Sequence, residues 1–293
     1  MRIQLLFFLL FPFVLSAQKV YLIGDAGEPK TPDKNLELLS SKFASASKED
    51  VLIFLGDNIY PRGLPSKEDP QRAAMEAKLI PQLEVMKSFP GKAFIIPGNH
   101  DWAQGKKEGW QNALNMEEFI TTYFEGENVF LPTGGCPGPI EVAVNDQLTV
   151  LIVNTQYYLH PWDKPSDDSE CANKSTIEAL DDLKVAVQRN VGKHILIAAH
   201  HPMYTYGEHH GNFSLKQQLF PPILGSIHPF FRRFIGNIQD VTHPKYRAIM
   251  KQVLAAMDEA KHVIYAAGHE HSLQLIEKEG HHFIVSGSGS KTS

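Results

Sequence analysis

Five short polar blocks each close an apolar run: Gly24-Asp25-Ala26-Gly27, Gly56-Asp57-Asn58-Ile59-Tyr60, Gly98-Asn99-His100-Asp101, Ala199-His200-His201-Pro202 and Gly268-His269-Glu270-His271. Any one of them alone reads as a turn, because Gly-Asp and Asn-containing pairs punctuate loops throughout proteins. Together they supply carboxylates, an amide oxygen, imidazoles and a phenol. Those are the oxygen and nitrogen donors that a pair of hard-to-borderline metal ions needs.

The runs around these blocks have strand length: VYLI at 20–23, VLIFL at 51–55, AFII at 93–96, LTVLIV at 148–153, HILIAA at 194–199 and HVIYAA at 262–267. Continuous apolar runs fit strands buried on both faces. Helical patterns occupy 34–47, 70–89, 176–189 and 244–261; in the third, Ser175 or Thr176 can cap the helix, and Ile177, Leu180, Leu183 and Val187 share one face. Alternating strands and helices predict an α/β domain with a mainly parallel or mixed sheet, its ligands gathered at the carboxyl ends of the strands. Stretches 61–70, 103–110, 131–141 and 160–174 read as surface loops. The longest excursion, about 207–243, carries LFPPILGSIHPFFRRF; a packed insertion is the favoured reading, with a lid, a partner surface or a membrane-facing patch as alternatives.

In their order and residue types the five blocks resemble those of the calcineurin-like metallophosphoesterases, and within them the purple acid phosphatases of the tartrate-resistant type, over residues 20–275. The resemblance implies a four-layer α/β/β/α sandwich with two mixed β-sheets. It also implies a ligand set: Asp25, Tyr60 and His271 on a first metal, Asp57 bridging both ions, and Asn99, His200 and His269 completing the second. The wider family has Asp-x-His in its first block, where this chain has Gly27; the purple acid phosphatases share that Gly and add a Tyr three residues after the second Asp, where Tyr60 stands. A phenolate ligand favours Fe(III) as the first ion, with Fe(II), Zn(II) or Mn(II) as the second. In an extended Gly-His-Glu-His segment, His269 and His271 face opposite ways, which lets each serve a different metal. His200 is preferred to His201 because it aligns with the family's His ahead of a bulky residue and Pro.

Two such ions about 3.5–4 Å apart would clamp phosphate oxygens while a metal-bound hydroxide attacks phosphorus in line with the leaving oxygen. His100, with Asp101 to orient it, and His209, with His210 as its rival, are the candidates to protonate that oxygen or to stabilise charge on the phosphoryl group. His160, His194, His262, His281 and His282 match no block and are read as structural or surface residues. Asn154 is read as a turn residue. Core or loop packing is favoured for Trp102, Trp110, Tyr157, Tyr158 and Trp162 over a place beside the substrate.

Composition narrows the partners. The 293 residues are 43% hydrophobic and 21% charged, enough to bury a substantial core. Residues 1–17, with Arg2 ahead of an apolar run ending at Ser16 and Ala17, form a signal-peptide pattern, which predicts export and leaves 18–293 as one domain. The run is short for a span of about 20 residues, and no later segment is apolar enough to cross a bilayer. Without Arg2, 27 basic residues face 33 acidic ones, so the charge moves from −5 to −6 and no basic stripe marks a general nucleic-acid binder. Attraction for phosphate must then be local. Cys136 and Cys171 lie in loops of an exported chain and fit either a disulfide or two free thiols. Sequons at Asn173 and Asn212 matter only in a eukaryotic secretory pathway. The Gly/Ser-rich ending after HHFIV fits either a flexible tail or a fragment of a longer chain.

The expected function is an exported binuclear acid phosphatase acting on monoesters of small molecules or phosphoproteins. A phosphodiesterase or nucleotide pyrophosphatase on the same metal core is the alternative, and a catalytically silent binding module the third reading.

Overall fold

The computed structural model describes residues 18–210, 232 and 236–292. The predicted signal peptide, Asn212 and all of LFPPILGSIHPFFRRF but Arg232 lie outside them. Three strands, β1 (Val20–Ile23), β2 (Val51–Phe54) and β3 (Lys92–Ile95), form a parallel sheet in the order β1-β2-β3. They are linked through α1 (Lys34–Lys42) and α2 (Arg72–Ser88), and a helical crossover is what makes neighbouring strands parallel. The second sheet contains β4 (Ile140–Ala143), β5 (Leu148–Ile152), β6 (His194–Ala198), β7 (Ile264–Ala267), β8 (Leu273–Lys278) and β9 (His281–Ser286), in the order β4-β5-β6-β7-β9-β8. Its centre is parallel, and the hairpins β4-β5 and β8-β9 make both edges antiparallel. Of the two mixed sheets expected, only this larger one is mixed among the described residues.

Period-two alternation inside the apolar runs builds the layers. In the β2 run, Val51, Ile53 and Leu55 join Val150 and Ile152 of β5, and Leu196 and Ala198 of β6, in a core between the sheets. Leu52 and Phe54 face the other way, packing with Leu36 of α1 and with Leu79, Leu83 and Met86 of α2. On the far side, Ile195 and Ile197 of β6 and Tyr265 of β7 pack under α5 (Thr176–Arg189) and α6 (Pro244–Met257). Three stacked cores give the four layers α/β/β/α.

Helix α5 begins as expected, with Ser175 Oγ accepting from the Glu178 N–H, but Ile177 is 68% exposed. The buried stripe runs through Ala179, Leu180, Leu183, Ala186 and Val187, and at about 100° per residue its centre lies roughly 120° from Ile177. Two further helices, α3 (Gly109–Tyr123) and α4 (Thr155–Leu159), were not among the predicted helical patterns; α3 begins inside the predicted 103–110 loop. Cys136 and Cys171 form a disulfide. Trp102, Tyr157 and Tyr158 are core residues, while Trp162 is exposed. The Asn173 side-chain amide donates to the Gly138 carbonyl and to Asp182, which ties that sequon into the fold. Past β9, the Gly289 and Ser290 N–H groups donate to the Gly24 and Asp25 carbonyls. Among the described residues, no helix is long and apolar enough to cross a membrane.

Candidate metal centre

All five polar blocks lie just beyond the carboxyl ends of β1, β2, β3, β6 and β7, on one rim shared by both sheets. Backbone bonds lock the rim: the Asp25 N–H donates to Gly56, and the Gly268 N–H to His200. Asp25, Asp57 and His269 have φ of 60°, 55° and 69°, a left-handed backbone that costs a non-glycine residue about 1–3 kcal/mol. Three predicted ligands thus carry strain that no run of residue types discloses.

In one pocket, Asn99 Oδ1 lies 2.9 Å from His200 Nε2 and 2.9 Å from His269 Nδ1, and His200 Nε2 lies 3.3 Å from Asp57 Oδ1. The far nitrogens of both rings donate to carbonyls, His200 Nδ1 to Leu55 and His269 Nε2 to Gln239. A carbonyl only accepts, so in the neutral imidazoles Nε2 of His200 and Nδ1 of His269 present lone pairs. With both imidazoles neutral, four acceptors crowd one buried space. Ligand atoms of Asp57, His200 and His269 all lie within 4.8 Å of one another, which fits a metal ion. Burial opposes charging His200, but the Asp57 carboxylate outweighs it and raises the imidazole to about 9. Burial likewise works to raise Asp57, and His200 and His100 reverse it, leaving the carboxyl well below its usual range. His269 is pushed well below its usual value by burial and by its imidazole neighbours.

Beside this pocket, the Tyr60 hydroxyl donates to Asp25 Oδ1 at 2.9 Å and lies 3.1 Å from His271 Nε2. Asp25 Oδ2 accepts the His269 N–H, so this carboxylate touches both groups of residues. Burial, then the Asp57 charge, pushes Asp25 well up, and the same two causes with Asp25 itself push the Tyr60 phenol up. His271 is lowered to about 4, chiefly by burial. Gly27 explains why the phenol is here: a Cβ at 27 would lie 2.6 Å from the Ile59 nitrogen and 2.7 Å from the Asp57 carbonyl oxygen. No side chain fits at that point, and the phenol of the facing loop reaches Asp25 instead. Lys291 Nζ sits 3.5 Å over the Tyr60 ring.

Residues 18–273 match the family model described as calcineurin-like phosphoesterase. The chain belongs to that family. Purple acid phosphatase 7 of Arabidopsis thaliana is 22% identical to this phosphoesterase over 245 residues, which are 83% of this chain and 60% of the plant protein's length. Among solved structures, Plasmodium GAP50, described as the anchor in the inner membrane complex, aligns at a TM-score of 0.49 and 15% identity, over 94% of this chain and 72% of its own. The phosphopantetheinyl hydrolase of Mycobacterium tuberculosis aligns at 0.44 and 12%, over 92% and 89%. Membership rests on the sequence match, not on these two alignments.

The remaining predicted residues of the phosphoesterase divide. His100 Nδ1 lies 2.6 Å from the Pro61 carbonyl and its Nε2 3.8 Å from Asp57 Oδ2, with its ring against Tyr60. Asp101 does not orient His100, contrary to expectation. Its buried carboxylate accepts from the N–H groups of Gly98, Asn58 and Ile59 and from the Asn58 amide, stapling the second and third blocks together. Burial, then the Asp57 charge, raises it to about 7. His201 engages Thr155 Oγ1 and Gln239 Oε1 with its two ring nitrogens, away from the pocket. His209 stacks on His269 at 3.9 Å, with Nδ1 2.9 Å from Asp240 Oδ1. Arg232 bonds the same Asp240 carboxylate, whose pKa His209 and Arg232 depress against the effect of burial. Sequence reading missed Asp240, Arg232, Gln239 and Glu270. Glu270 alone carried a signal, as a carboxylate placed between two predicted ligands.

Proposed function

We propose that this phosphoesterase is a binuclear acid phosphatase of monoesters, with Asp25, Tyr60 and His271 on one ion, Asn99, His200 and His269 on the other, and Asp57 between them. The observation that carries the reading is the convergence of Asp57, Asn99, His200 and His269 on one buried space, a donor set and spacing that fit a metal ion. Metal ions held by these residues would supply polarisation of phosphate oxygens and acidification of a water. The chain's own residues do the rest. His100 and His209 flank the two groups of ligands, each with Nδ1 engaged by an oxygen, so that Nε2 is the nitrogen for holding or moving a proton at the leaving oxygen. Tyr60 next to Asp25 favours Fe(III) at the first position. Export, as the leader pattern predicts, accords with the Cys136–Cys171 disulfide.

Metal analysis of purified protein should give two ions per chain, with a visible tyrosinate-to-iron absorption that Tyr60→Phe removes. Persistence of that band would sink the Tyr60 assignment. Asp57→Asn should abolish hydrolysis. Rates on a monoester and a diester, compared across pH, test the substrate class, and a strong diester preference defeats the monoester reading.

A further inference from the structure

Glu270 stands between His269 and His271 and is 1% exposed, yet its carboxylate bonds the loop at 205–209. Oε1 accepts the Glu208 N–H at 2.6 Å, and Oε2 accepts the His209 N–H at 3.1 Å and the Thr205 hydroxyl at 3.3 Å. The loop is shaped around this carboxylate. At Gly207 a Cβ would lie 2.1 Å from Glu270 Cδ and Oε1, so a larger residue there would have to push the carboxylate aside. Thr205 Oγ1 also accepts the Gly207 N–H at 3.1 Å, closing a small ring of bonds around the turn.

We propose that Glu270 is a positioning residue whose carboxylate clamps the 205–209 turn and thereby fixes His209 over His269. His209 is then held from three sides: its N–H by Glu270, its Nδ1 by Asp240 and by Arg232 Nη2 at 2.7 Å, and its ring face by His269 at 3.9 Å. A carboxylate is the right group for the task, because two successive N–H donors converge on two acceptor oxygens and charge-assisted bonds of this kind are the stronger class. The amide in Glu270→Gln would turn a donor toward one of those N–H groups, and an imidazole misplaced by about 1 Å can cost up to about 100-fold in rate. The role given to His209 rests on the phosphatase reading, whereas the clamp itself does not.

Two measurements test this. Hydrogen exchange on the full chain should show the Glu208 and His209 amides of Glu270→Gln exchanging at least about tenfold faster than wild type, with β9 unchanged; equal protection of 205–209 overturns the clamp. In kinetics, Glu270→Gln should lower kcat about tenfold at unchanged metal content and KM, and should add no further loss in a His209→Ala background. Additive losses, or a fall in bound metal, would mean that Glu270 acts through the ligands and not through His209. Gly207→Ala, which displaces the carboxylate by a different route, should reproduce both effects. If wild type hydrolyses no phosphate ester, the phosphatase reading fails, and the exchange data still decide the clamp.

Discussion

Any residue larger than glycine at position 27 would drive its Cβ into the backbone of residues 57–59. Gly27→Ala is therefore expected to cost about 3 kcal/mol, measurable in urea unfolding, and Gly27→His should not rebuild a ligand. A second residue-scale expectation concerns His160, which burial and then the Lys164 and Lys245 charges lower from 6.5 to about 4. Between those values the unfolded chain binds a proton that the folded chain refuses, so stability is full above about 6.5 and is lost as pH falls toward about 4. His160→Gln should flatten that acid limb by up to about 3 kcal/mol, read from urea midpoints at pH 4 to 7. Residue types disclosed the ligand candidates because donor chemistry is local. They could not disclose the bond from Pro61 that replaces the expected Asp101–His100 contact, since that depends on where two loops meet.

Helix α4 shows how an element of five residues reaches the site. Asn154 caps it by accepting the Tyr157 N–H and anchors it by donating to the Gly135 and Cys136 carbonyls. Its first residues, Thr155 and Gln156, then hold His201 and the Gln239 side chain. The Gln239 carbonyl in turn orients His269. Asn154→Ala should lower stability by about 1–2 kcal/mol in thermal or urea unfolding, with a smaller loss of activity than Asp57→Asn. Strands β1, β2, β3, β5, β6 and β7 were readable in sequence because burial leaves unbroken apolar runs such as VLIFL, whereas β4 and β8 expose alternate or most residues and show no such run. Helix α4 was not: it is too short to display a helical period, and its cap reads as an ordinary turn residue. Helix α3 is long enough, and its buried Asn112, Ala113, Met116 and Ile120 keep helical spacing, so its stripe was legible and the reading of 103–110 as a loop passed over its start.

Across the whole molecule, the candidate centre joins the rims of both sheets, with Asp25, Asp57 and Asn99 from the smaller and His200, His269 and His271 from the larger. Ions held there would tie the layers together, so chelation should lower the unfolding temperature as well as remove activity. Refilling to about 100 times Kd should return roughly 2.7 kcal/mol. Scanning calorimetry with and without metal checks this, and an unchanged midpoint would contradict binding across the sheets. Alternating elements pointed to an α/β domain and the family resemblance implied its four layers, but the bonds of Gly289 and Ser290 to the Gly24 and Asp25 carbonyls gave no sign in a Gly/Ser-rich stretch. The span of the centre along the chain bears on the order of events at the ribosome. The Asp25 carboxylate is made early, and the His269 N–H that it accepts follows 244 residues later. A growing chain carries only part of the constellation until residue 271 has emerged, so both groups of ligands can be filled only after that point.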